Sequence, residues 1–148
     1  MKSLKYLFLL SSAILLTSGC DSADDSSPNT FFVSYQKQVL INEIANSLSC
    51  GGATEYSLGH PTYIAEFEAV DNASSYTGRV LRKDGTYAAD MVITTSDIGN
   101  GNLRYTQGVG SISVFLTCSQ SDAMNEQQDR LDFMDDVGHQ GIEITAVL

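Results

Sequence analysis

Two histidines, three cysteines and eighteen carboxylates limit the chemistry open to this chain. A serine hydrolase needs a histidine against its nucleophile and a carboxylate behind it. Here there are only His60, beside Pro61, and His139, flanked by Gly138 and Gly141, and both settings predict surface turns. No GxSxG elbow is present. Zinc and thiol-redox chemistry need CxxC or HxxxH spacing, whereas Cys50 and Cys118 lie far apart. A hard cation prefers clustered oxygens, which Asp97-Ile98-Gly99-Asn100-Gly101-Asn102 offers at alternate positions. That stretch lacks the closing glutamate of an EF-hand loop and reads first as a hairpin turn. Glu66 and Glu68 alternate with apolar residues, as on a solvated strand face. The expectation is no catalytic residue, no metal and no cofactor.

Ser34-Tyr35-Gln36-Lys37 resembles the SxxK nucleophile pattern of penicillin-binding enzymes. That chemistry needs SDN and KTG elements, of which Ser96-Asp97-Ile98 and Lys83-Asp84-Gly85 are imperfect echoes, so coincidence is the better reading. The first twenty residues are more specific. Lys2 and Lys5 make a basic start, and residues 7–16 are apolar apart from two serines. A spanning helix needs about 20 apolar residues, so this is a signal peptide in form. Leu16-Thr17-Ser18-Gly19-Cys20 resembles the lipobox of bacterial lipoproteins, with Thr17 where leucine is more usual. The resemblance implies cleavage before Cys20, a diacylglycerol on its sulfur, and membrane attachment in the bacterial envelope, facing periplasm or exterior. Two acyl chains anchor firmly, each buried methylene contributing about 0.8 kcal/mol.

Removing residues 1–19 leaves 6 basic and 18 acidic side chains. Such a surface excludes nucleic acid as a partner, because phosphate binding needs clustered basic residues. Cys50 and Cys118 then form an even pair in an oxidising compartment, expected as a disulfide, with two buried free thiols the alternative. Residues 20–30, beginning Cys20-Asp21-Ser22-Ala23-Asp24-Asp25, read as an acidic, Ser-rich tether before one domain over 31–148. Asp21 resembles an inner-membrane retention signal, while the acidic tract resembles surface-export signals of other bacteria.

The elements carrying these residues are partly legible. Leu40, Ile41, Ile44 and Leu48 share a helical face, which predicts a helix over 34–48 stopped by Gly51-Gly52. Tyr63, Ala65, Phe67 and Ala69 predict a strand. Asp84-Gly85 predicts a two-residue type I′ turn, which puts Arg79 opposite Asp90 and Tyr76, Val80, Tyr87, Ala89, Met91 and Ile93 on one face. Asn100-Gly101 predicts a second such turn with Asp97 opposite Arg104, although Leu103 and Tyr105 then face away from Ile93 unless a bulge intervenes. Ile112, Val114, Leu116 and Cys118 alternate as a further strand, and Ile142, Ile144, Ala146 and Leu148 as the last. Between them a helix is expected over 122–137, N-capped by Ser121 and ended by Gly138. The expected class is α+β: a mainly antiparallel sheet of five to six strands, an N-terminal helix, and a helix before the last strand.

That last helix carries the main functional expectation. Projected at 100° per residue, Ala123, Met124, Gln127, Leu131 and Met134 form a core stripe. Asp122, Glu126, Asp129, Asp132 and Asp136 gather opposite, with Phe133 in their midst. Asp135 and Asp136 also stand in the last turn, against the helix dipole. An aromatic ringed by carboxylates suits docking of a basic envelope protein. Gly101-Asn102-Leu103-Arg104-Tyr105-Thr106 resembles a motif of periplasmic lysozyme-inhibitor lipoproteins, which implies the alternative of inhibiting a basic cell-wall hydrolase; their Trp-Lys-Gly element has no counterpart here. A small envelope enzyme is the remaining alternative.

Overall fold

A computed structural model describes residues 29–111 and 113–148. Three antiparallel sheets and one long helix make up these residues. The strands are β1 (Thr30–Ser34), β2 (Gln36–Gln38), β3 (Ile41–Ile44), β4 (Glu55–Leu58), β5 (Thr62–Glu68) and β6 (Ser75–Leu81). After them come β7 (Met91–Ile93), β8 (Ser96–Gly99), β9 (Asn102–Gly108), β10 (Leu116–Thr117) and, beyond helix α1 (Gln120–Val137), β11 (Gly141–Val147). The sheet orders are β1-β11-β6-β7, β2-β5-β9-β8 and β10-β4-β3.

The two four-stranded sheets share their corners. Only Tyr35 separates β1 from β2, and only Thr94 and Thr95 separate β7 from β8, so each pair is one strand bent from one sheet into the other. The result is a flattened barrel whose edges close on themselves. Its interior is filled by Ala65 and Phe67 from one sheet and Tyr76, Val80, Ile93, Ile142, Ile144 and Ala146 from the other. Gly78 faces Ile142 so closely that a Cβ would stand 2.6 Å from its Cδ1, so a side chain there has no room. A second cluster (Val39, Tyr63, Val109 and Met134) fastens α1 to the barrel.

The expected N-terminal helix is absent: residues 34–48 run extended through β2 and β3 into a 3-10 turn, Leu48–Cys50. Its intended stripe does not reach the core, since Leu48 is 96% exposed and Leu40 and Ile44 are also exposed. Backbone pairing of β2 with β5 and of β3 with β4 satisfies these residues instead. Long-range strand pairing overrides local periodicity here, in a segment whose β-branched Val39, Ile41 and Ile44 tolerate the extended form. Gly51 still ends a helix, at φ 63°, but only that single turn. The class is therefore three antiparallel sheets with one helix, and the α+β layout with two helices is corrected accordingly.

The hairpins hold with adjustments. Tyr76 pairs with Ile93 and Gly78 with Met91, the register expected for β6 and β7. Near the turn, however, Arg82 N donates to Thr86 O and Leu81 pairs with Tyr87. The loop thus has three residues with only Gly85 at positive φ, not a type I′ pair. The extra residue turns Tyr87 over, and the Arg79 guanidinium stacks on it at 4.2 Å while pairing with Glu143 at 2.8 Å. Asn100 and Gly101 do take positive φ. A bulge between Asp97 and Gly99 then puts Asp97 opposite Leu103 and Ser96 opposite Arg104. That bulge lets Leu103 and Tyr105 pack against the barrel core. The strand expected over 112–118 shortens to β10, with Val114 exposed. The last strand keeps Ile142, Ile144 and Ala146 buried, but it ends at Val147, and Leu148, expected on the same face, is exposed.

Candidate functional site

Helix α1 starts two residues before its expected first position. Ser119, not Ser121, is the N-cap, and its hydroxyl accepts from Asp122 N at 3.2 Å. Gly138 at φ 65° closes the other end, donating to Met134 O at 2.8 Å. That same carbonyl accepts the Tyr63 hydroxyl, which locks the helix end onto β5. Ala123 and Met134 are fully buried and Leu131 partly so, but Met124 is 56% exposed and leaves the expected stripe.

The charge least visible in the sequence is Arg130. It is the one charged side chain in the core of the described residues. Its Nε pairs with Glu126 at 3.1 Å, Nη1 donates to Gly59 O at 3.2 Å and Nη2 to Ser113 O at 3.1 Å. Read as helix periodicity, Arg130 falls between the stripes. Its role comes from two carbonyls on distant loops, which periodicity does not encode.

Phe133 is 45% exposed, and one ring edge rests over Gly110. With Glu126, Asp129, Arg130, Val109 and Ser113 it lines an open cleft of about 250 Å³. The five expected residues therefore split. Glu126 is committed to Arg130. Asp132 accepts from Gln128 at 2.9 Å. Asp129 and Asp136 stand exposed on the helix and enter none of the ion pairs among the described residues. Asp135 is bound by Lys37, which offsets its place at the negative helix end.

Both histidines depart from the surface-turn expectation. His60 is partly buried against Gly108, and its Nδ1 is enclosed without a protein partner. His139 stacks on Tyr63, which stacks on Tyr35, with ring centroids 5.6 and 5.1 Å apart. Gln107 joins the ends of this ladder: it accepts the Tyr35 hydroxyl at 2.9 Å and approaches His139 Nδ1 at 3.4 Å. Burial, reinforced by the charge of Arg82, lowers the His139 pKa. Burial raises the phenols of Tyr35, Tyr63 and Tyr105. A cleft of about 210 Å³ opens beside the ladder, but no serine, threonine or cysteine lines it. Its Lys37 and Asp135 occupy each other.

Cys50 and Cys118 form a disulfide with Cα atoms 5.6 Å apart, tying the 3-10 turn to the strand before α1. Cys20 and the tether as far as residue 28 precede the described residues, and Ile112 also lies outside them. Thr30, read as the end of the tether, is already the first residue of β1 and pairs with Thr145. No helix among the described residues is long and apolar enough to cross a membrane. Asp97 Oδ1 accepts Gly99 N at 2.8 Å, within a tight hairpin. Arg104 and Tyr105 lie mid-strand in β9, paired with β5 and β8, not on a protruding loop. Arg104 Nε and Nη2 both donate to Glu66, at 2.9 and 2.6 Å. Comparison with protein-family models, curated proteins and solved structures yields no significant match.

Proposed function

We propose that this chain is a lipid-anchored bacterial envelope protein that binds a basic protein partner through the exposed face of α1, without catalysis of its own. The observation that carries the binding face is Phe133, half open beside a cleft and flanked by Asp129 and Asp136, which no cation among the described residues pairs with. An aromatic anchor inside an acidic rim supplies apolar contact at the centre and steering at the edge. The anchor reading rests on the lipobox-like Leu16-Thr17-Ser18-Gly19-Cys20. A Cys50–Cys118 disulfide suits an oxidising compartment.

The two parts are tested separately. Metabolic labelling with a clickable fatty acid should mark the chain and fail for Cys20→Ser; equal labelling of both removes the anchor. Capture of a basic protein from envelope extract should fall at high salt. It should be lost in the quadruple variant Phe133→Ala, Asp129→Asn, Asp132→Asn and Asp136→Asn. Undiminished capture by that variant removes this face.

A further inference from the structure

On the opposite flank of α1 from Phe133 lies a more enclosed cleft of about 270 Å³, walled by Leu40, Ile41, Glu43, Tyr56, Met124 and Gln127. Its floor is fixed, because Gln127 Nε2 donates to the carbonyl of buried Val39 at 2.8 Å. Its lips are apolar and open: Leu40 is 52% exposed and Met124 also stands largely free. Glu43 is the only charged residue in the lining, and no basic residue lines it. It pairs across the strands with Tyr56, which puts carboxylate and phenol on the same sheet face. Glu43 enters none of the ion pairs among the described residues. The clefts at Phe133 and beside the tyrosine ladder differ, each holding an internally matched pair, Glu126–Arg130 or Lys37–Asp135. A further cleft at Phe31 and Phe67 also has a single charge, Glu68, but is lined by neither helix α1 nor the β3 edge.

A second observation bears on what fits. The strand that carries Glu43, β3, is the outer strand of the small sheet β10-β4-β3. The barrel closes its own edges at the bent strands, but this edge is paired only on the β4 side. We infer that the β3 edge and the adjoining cleft together receive an extended basic peptide, which adds as a fourth strand and lays one lysine or arginine side chain into the cleft beside Glu43. Strand addition draws affinity from main-chain hydrogen bonds and selectivity from pockets that take alternate side chains. A long basic side chain matches this pocket, because its methylene stem lies on Leu40, Ile41 and Met124 while its head reaches Glu43 and the Tyr56 ring. The volume, small beside ordinary ligand pockets, suits one side chain. The chain's own acidic segment at Asp21, Asp24 and Asp25 carries the wrong sign, and two copies paired through β3 would bring like carboxylates together. This site is separate from Phe133 and does not depend on it.

The test uses the full chain in detergent with a fluorescent Lys-Val-Lys-Val-Lys-Val peptide, its Glu-Val counterpart, and free lysine amide. The expected result is saturable, salt-sensitive binding of the lysine peptide alone. Glu43→Gln and Met124→Lys should each weaken it at least tenfold, Phe133→Ala should not, and the amides of residues 42–44 should exchange more slowly on binding. Equal affinity in Glu43→Gln, or equal binding of the glutamate peptide, overturns the charged pocket. Lysine amide binding as tightly as the peptide, or unchanged exchange at β3, overturns strand addition. Peptide-independent dimerisation through β3, seen by sizing and lost in Glu43→Arg, assigns the edge to a second copy and overturns the proposal.

Discussion

Replacing Arg130 tests whether one buried guanidinium holds the 109–118 segment against the helix. Its side chain is 10% exposed and spends its donors on Glu126, Gly59 O and Ser113 O. At 3.1–3.2 Å the two carbonyl bonds are long for charge-assisted ones, so each is taken at about 1 kcal/mol. The pair with Glu126 is partly solvated and adds about 0.5 kcal/mol. Burial of the aliphatic stem contributes about 1 kcal/mol more. Arg130→Ala should therefore destabilise by about 3.5 kcal/mol, and Arg130→Met, which keeps the stem, by about 2.5 kcal/mol. Urea unfolding followed by far-UV circular dichroism reads both values. Limited proteolysis should find new cleavage within 109–118 in both variants, because Ser113 O loses its donor. If both variants unfold within about 0.5 kcal/mol of the parent and the protease pattern is unchanged, the guanidinium is not the clasp described.

Two further predictions follow from the same packing. His139 has a folded pKa below its unfolded value, so the unfolded chain binds the extra proton first as pH falls. Stability should be level above about pH 6.5 and decline as pH drops from there through the lowered native value. His139→Phe keeps a ring on Tyr63 and should remove that part of the decline; parallel pH curves for parent and variant would sink the assignment. The double substitution Cys50→Ser and Cys118→Ser opens a loop of sequence separation 68 and should cost about 4 kcal/mol in the urea midpoint analysis. A loss below about 1 kcal/mol would mean the bond adds little to the constraint already set by β10 and β4.

What the sequence made legible was local. Alternation in β5 and β11 survives because one face of each strand is buried in the core. The other face is more open at Glu66 and Glu68 in β5 and at Glu143 and Thr145 in β11, although Ile64 on that face of β5 is buried. Gly138 ends α1 as expected, through cap chemistry that acts within a few residues, whereas the cap expected at Ser121 lies two residues past the true one, Ser119. The N-terminal segment was misread because Leu40, Ile41, Ile44 and Leu48 share a helical face by spacing alone, while Ile41 and Ile44 pair with Leu58 and Glu55 of β4 and the preceding Gln36–Gln38 pair with β5. The Asp84-Gly85 turn gave the register at Tyr76 to Gly78 but not beside the loop, where Leu81 pairs with Tyr87. It was also wrong in type, with the Asp84 carboxylate accepting from Thr86 N and Oγ1. These bonds also hold that carboxyl below its usual range. The Tyr35–Tyr63–His139 ladder was invisible because three distant segments meet there. The cleft beside Glu43 was hidden for the same reason, its walls belonging to a strand expected as helix.

The pairing of β1 with β11 has a consequence for timing. Phe31 lies opposite Ile144 and Thr30 opposite Thr145, near the two ends of the described chain. β11 is also the strand against which β6 is zipped along its whole length. Until residues 141–147 are available, one wall of the barrel lacks an inner stave and its first strand has no neighbour in that sheet. Contacts this distant along the chain form late and slowly, after the cost of closing long loops. A chain emerging residue by residue, from a ribosome or across a membrane, therefore cannot complete this barrel until its last strand has arrived.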